Sequence, residues 1–370
     1  MSNSKLVLKL PQGVVWGILA LATLSCTQGS RPTPQADSPT AALAARPSVI
    51  AANTVLCDLT QQIAGDTVAL TCLLDYGQDP HVYRPSPSDR AAIDDADLIL
   101  YGGYEFEPAV IGLIQATSNS APKIAVYEEA VPEPIMAQGH SHDHAEAGHA
   151  GDEHSEADPD HEHHDHEHTG HEHTGHGSGD TAALTPDPHV WQNAANNAAI
   201  VAVLVEHLNT AAPDNAEQYT QRGNDLQAQF TQLDQWIQAQ TATVPAANRS
   251  LVTTHDAFRY FAQAYGFEVG GVLSGLSTAE TPSASTLTGL VRDIKAAEVP
   301  AVFSEATTNP KLIETVARDA GVTVADQPLY DAGPGGPGSE AETVQAMLVA
   351  NTCNIVNALK GTCDVTSAPL

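Results

Sequence analysis

Cationic side chains are scarce. The 370-residue chain carries 15 Lys and Arg against 45 Asp and Glu, a formal net charge of −30. Nucleic acid and anionic membrane are held by basic surface, so this balance argues against both as partners. Long apolar runs are also missing: residues 14–24 form the one marked stretch, too short for a bilayer-spanning helix. No two of the five cysteines stand two to four residues apart, which argues against a zinc-cysteine site. There is no His-Glu-x-x-His, the signature expected of a zinc hydrolase.

Histidine is abundant and unevenly placed. Of 17 histidines, thirteen fall in residues 140–176, mixed with Gly and with a dozen acids between residues 143 and 180. Two of the other four share a tripeptide, Asp79-Pro80-His81 and Asp187-Pro188-His189, and His255 follows the β-type run Leu251-Val252-Thr253-Thr254. Neutral imidazole is the commonest ligand for Zn²⁺ and similar ions, so metal handling is the first hypothesis.

The N-terminus has the parts of an export signal: Lys5 and Lys9, the short apolar run, then Ser25 before Cys26. Cys26 is a candidate lipid-attachment residue, although Thr23 replaces the usual aliphatic residue. An extracytoplasmic location follows. Residues 27–47 read as a disordered tether. The remaining Cys57, Cys72, Cys353 and Cys363 suit two disulfides in an exported chain. Three pairings exist; the two short loops, Cys57–Cys72 and Cys353–Cys363, are favoured.

From residue 48 strands and helices alternate, which predicts βαβ units and parallel sheets. Strands are expected at 49–52, 67–74, 98–101 and 124–126, with helices at 55–64, 86–96 and 108–116. Residues 128–186, nearly devoid of aliphatic side chains, read as a disordered His- and acid-rich insert. Helices follow at 193–208 and 214–242. In the second of these, Tyr219, Leu226, Phe230, Leu233 and Ile237 form one apolar stripe. A second series places strands at 251–254, 269–273, 301–304 and 322–325, and helices at 257–265, 285–297, 310–320 and 340–359. The expected fold class is α/β: an N-terminal βα lobe (48–212) and a C-terminal βα lobe (244–370) joined by a rigid helix (213–243).

Ligands of open βα sheets bind beyond the carboxyl ends of strands. His81, His255 and Asp331 fall in such loops, and the second Asp-Pro-His places His189 at a helix start. Together they put a metal in the cleft between lobes. Proline stiffens the backbone before His81 and His189, and each preceding Asp can cap a turn or accept a ring N–H. His207, inside a helix, reads as an ordinary surface residue. Asp331 opens a Gly/Pro-rich run and competes with Glu305 as fourth ligand; Asp331 is preferred.

These residues carry a resemblance. Asp79-Pro80-His81-Val82-Tyr83-Arg84-Pro85, Asp187-Pro188-His189-Val190-Trp191, Thr254-His255-Asp256-Ala257-Phe258 and Pro328-Leu329-Tyr330-Asp331 resemble, in order, the four ligand segments of the zinc- and manganese-specific solute-binding proteins of bacterial ABC importers. The resemblance spans most of residues 48–359. It implies a non-enzymatic, monomeric carrier of two lobes and a rigid helix, delivering metal to a membrane permease. Asn193 departs from it, standing where an acid is common. Histidine at the third position implies Zn²⁺ rather than Mn²⁺, and three imidazoles with one carboxylate suit tetrahedral zinc on ligand chemistry alone. The insert is expected to hold further Zn²⁺ weakly. Affinity should fall as pH drops through about 6.5, the unperturbed histidine value. The alternatives are a manganese carrier, a secreted zinc hydrolase and a His-rich zinc buffer.

Overall fold

The structure, a computed structural model, describes residues 46–138 and 184–370. The export signal, Cys26, the tether to residue 45 and the thirteen clustered histidines lie outside the described residues.

The first lobe follows the expected alternation. Its strands are β1 (Ser48–Ala51), β2 (Ala69–Cys72), β3 (Leu98–Tyr101) and β4 (Lys123–Ala125), and its first four helices are α1 (Thr54–Ala64), α2 (Pro87–Asp94), α3 (Pro108–Ala116) and α4 (Val126–Ala130). The sheet is parallel throughout, in the order β2-β1-β3-β4. Helix starts are fixed locally. Asn53 caps α1 through its side chain, and Ser86 with Asp89 forms a capping box on α2. Cys57 and Cys72 are disulfide-bonded, tying α1 to β2, and Cys353 and Cys363 form the second bridge, both in the favoured pairing.

Both ends of the segment expected as a disordered insert, residues 128–186, carry regular structure. Val126 and Tyr127 of α4 are fully buried, and β5 (Met136–Gln138) pairs antiparallel with β6 (Leu184–Pro186), burying Ala137. Three-residue strands carry too little periodicity to stand out beside a polar tract.

After β6 come α5 (Ala194–Ala211) and the long α6 (Ala216–Thr241). At 1.5 Å per residue, the 26 residues of α6 span about 39 Å. Its buried stripe contains the five expected residues together with Gly223, Trp236 and Thr241. The helix holds both halves of the chain. Near its start, Tyr219 Oη lies 2.5 Å from Thr67 Oγ1 and Arg222 donates to Ile63 O; near its end, Asp234 accepts from Tyr265 Oη and Thr241 O from Arg249. Gly223 lets α5 approach closely: a Cβ there would sit 2.4 Å from Val205 Cγ2. Gly223→Ala is expected to lower stability by about 1–3 kcal/mol through overpacking. Chemical denaturation checks this, and Val205→Ala in the same chain should recover most of the loss.

The second lobe comprises β7 (Ser250–Thr253), α7 (Arg259–Tyr265), β8 (Glu268–Val272), α8 (Ala284–Ala297), β9 (Ala301–Val302), α9 (Lys311–Ala320), β10 (Thr323–Val324) and α10 (Val344–Ala358). The pairs β7·β8 and β9·β10 are parallel, and a hydrogen bond from Phe303 N to Val252 O joins them. The resulting order, β8-β7-β9-β10, repeats that of the first lobe. Helix α10 also reaches the first lobe: Asp58 of α1 accepts from Val344 N, and Gln62 and Gln345 exchange two amide hydrogen bonds. Among the described residues no helix is long and apolar enough to cross a membrane.

Candidate metal centre

His81 sits in a short 3₁₀ turn after β2, where Asp79 Oδ1 accepts from the His81 backbone N. His189 occupies a similar turn between β6 and α5. Here Asp187 Oδ1 accepts from both His189 N (2.9 Å) and Nδ1 (2.8 Å). The two Asp-Pro-His units thus diverge: Asp187 holds the ring, whereas the second oxygen of Asp79 accepts from Thr278 Oγ1 at 2.5 Å. His255 follows β7, and Glu305 beyond β9 accepts from its Nδ1 at 2.6 Å and from its backbone N.

Asp187 and Glu305 set the tautomers of His189 and His255. An Nδ1–H committed to a carboxylate leaves Nε2 with its lone pair free. The Nε2 atoms of all three rings converge: His81 to His189 is 3.3 Å and His189 to His255 is 3.4 Å. Phe106 and Trp191 back the cluster, with ring centroids 5.3 Å from His81 and 5.4 Å from His189 respectively. His189 and His255 are each 1% exposed, while His81 is only partly buried.

Asp331, after β10, belongs to a second group with His255 and Glu305, all within 4.8 Å of one another. Its Oδ2 lies 3.9 Å from His255 Nδ1, and Thr307 donates to the carboxylate from both its hydroxyl and its backbone N. Of the four sequence candidates, the structure brings His81, His189 and His255 into one group and places Asp331 in the adjoining one. Glu305, the rival ligand, is engaged with His255. His207 stands outside both groups, paired with Glu129 at 2.9 Å. Asn193, the departure from the expected acid, caps α5 through its side chain.

Charge follows burial. Desolvation and neighbouring rings push His81 and His189 well below the usual histidine value, so both stay neutral. Burial also lowers His255, but the Glu305 charge and hydrogen bond, helped by Asp331 and Asp79, outweigh it and carry the value up to about 9. Burial raises Glu305 and Asp187 to about 7 each, against the favourable contacts each makes. Once His255 gives up its second proton, its Nε2 lone pair joins those of His81 and His189 at one point, where a cation satisfies all three together.

Two βα lobes held by one long helix, with side chains from both meeting at a buried polyimidazole site, define the bilobal metal-binding proteins of ABC importers. The family described as ZnuA, zinc-uptake complex component A, periplasmic, matches residues 49–358. The chain belongs to this family and is an extracytoplasmic, metal-binding, substrate-binding component of an ABC transporter. It is 30% identical to zinc-binding protein TroA of Treponema pallidum, over 86% of this chain and 91% of the relative. It is 28% identical to manganese-binding lipoprotein MntA of Halalkalibacterium halodurans, over 84% of this chain and 88% of that one. The solved structure of periplasmic zinc-binding TroA superposes with a TM-score of 0.68 at 28% identity, covering 85% of this chain and 99% of that one.

Proposed function

We propose that the protein captures Zn²⁺ outside the cytoplasmic membrane and delivers it, as a monomer, to an ABC permease. The ligands are His81, His189, His255 and Asp331. Residues 48–212 and 244–370 act as the two lobes and residues 213–243 as the brace. The supporting observation is the spacing of ring nitrogens. Zn–N bonds of about 2.0–2.1 Å in a tetrahedron place ligand atoms roughly 3.3–3.4 Å apart. The distances here are 3.3 and 3.4 Å. Mn²⁺ also favours more oxygen than this set offers.

Manganese is the second reading, favoured by relatives such as MntA that are named for it. The His-rich residues 140–176 would add weak Zn²⁺ sites and take Ni²⁺ or Cu²⁺ by the same chemistry. They must therefore be removed from a decisive test. Gln138 and Leu184 are partners in the β5·β6 ladder. Deleting residues 139–179 leaves residues 180–183 as a four-residue hairpin connection, an accepted length. Competitive titration of that protein should give one site at which Zn²⁺ displaces Mn²⁺. An equal or reversed preference would assign the site to manganese.

A further inference from the structure

We propose that residues 275–282 form a gating strap over the metal site, latched by the hydrogen bond between Thr278 and Asp79. The inference rests on the three histidines being the metal site.

The strap leaves β8 and crosses the cleft before entering α8. Its root is fastened beside His255: Leu273 N and Ser274 N donate to Thr254 O, and Asp256 N donates to Gly275 O. Glu280 folds the segment back on itself, accepting from Gly275 N at 2.9 Å and, through its carbonyl, from Ser274 Oγ. At the far side Thr278 Oγ1 donates to Asp79 Oδ2 at 2.5 Å, so a second-lobe side chain is bonded to the first lobe. The other oxygen of that carboxylate accepts from His81 N. One carboxylate thus joins strap and ligand loop.

The strap also separates two approaches to the centre. Leu276, Ser277 and Ala279 line a cavity of about 740 Å³ that ends on His81. Thr278, Thr281 and Pro282 line another of about 740 Å³ that ends on His255. Swinging the strap away would merge these cavities above the histidines. Most of its residues are half-exposed, so little apolar burial opposes the movement.

The latch touches none of the three ring nitrogens, and the proposal has it hold the strap equally with the site loaded or empty. An element that does not discriminate the two states changes rates and leaves the equilibrium alone. In Thr278→Val, Zn²⁺ release to excess chelator, followed by stopped flow, should accelerate about tenfold, the effect of losing one hydrogen bond to a charged group. Association should accelerate in step, leaving Kd within about twofold, and Thr278→Ser should restore wild-type rates. Unchanged rates in Thr278→Val would overturn the strap while leaving the metal site intact. Faster release with unchanged association, and Kd weakened in proportion, would also overturn it, since that is the mark of a lost support for His81. A wild-type protein whose zinc binding ignores the three histidines would instead overturn the proposed function.

Discussion

Replacing His189 by alanine should weaken Zn²⁺ binding at the cleft by more than about 10²-fold, beyond the roughly 10–100-fold cost of losing an outer hydrogen-bond partner. His189 is the common neighbour of the other two rings, 3.3 Å from His81 and 3.4 Å from His255. Its removal leaves two imidazoles whose direct partner is gone and strands Asp187, a fully buried carboxylate, without the ring N–H it accepts. Glu305→Gln provides the graded comparison. The amide keeps a carbonyl oxygen for His255 Nδ1–H but loses the charge that makes the ring basic, so affinity should drop by about 10–100-fold. Isothermal titration in the protein lacking residues 139–179 measures both. Equal losses for the two variants would mean that His189 only supports the site.

Lowering the pH from 8 to 6 should weaken zinc binding at least about 10²-fold, tenfold per unit for each proton displaced. The sign follows from proton counts. The free site binds a proton at the His255–Glu305 pair below about 9 and a second below about 7. Zinc needs the Nε2 lone pair, so the loaded state holds fewer protons and affinity rises with pH. His81 and His189, held neutral by burial, add nothing in this range. The loss of affinity thus begins well above 6.5, the value an isolated histidine implies, because Glu305 stabilises the imidazolium. Titrations in buffers of differing ionisation enthalpy should show about one proton released per zinc at pH 8. A pH-independent affinity between 6 and 8 would contradict this.

Much of this was legible in the residues because its causes are local. Proline before His81 and His189 fixes the turn, and a β-type run ending at Thr254 puts His255 at a strand end. The apolar stripe of α6 follows from helical spacing alone, and the bounds of α3 (Pro108–Ala116) and of the short apolar strand β3 (Leu98–Tyr101) match expectation. What stayed hidden depends on distant partners. Glu305 and Asp331 look alike as acids after strands. Only the fold shows one bonded to a histidine 50 positions away and the other held by Thr307. Thr278 and Thr307 carry no motif at all. Helix α10 reads as an element of the second lobe, yet its Val344 and Gln345 bind α1 across a separation of more than 280 residues.

X-ray absorption at the zinc edge of the protein lacking residues 139–179, loaded with one equivalent of Zn²⁺, tests the central claim most directly. The expected shell is three imidazole nitrogens at about 2.0–2.1 Å with one oxygen, reduced by one imidazole in His189→Ala. A shell of oxygens alone, or one unchanged by His189→Ala, would contradict the convergence of His81, His189 and His255 on a single ion.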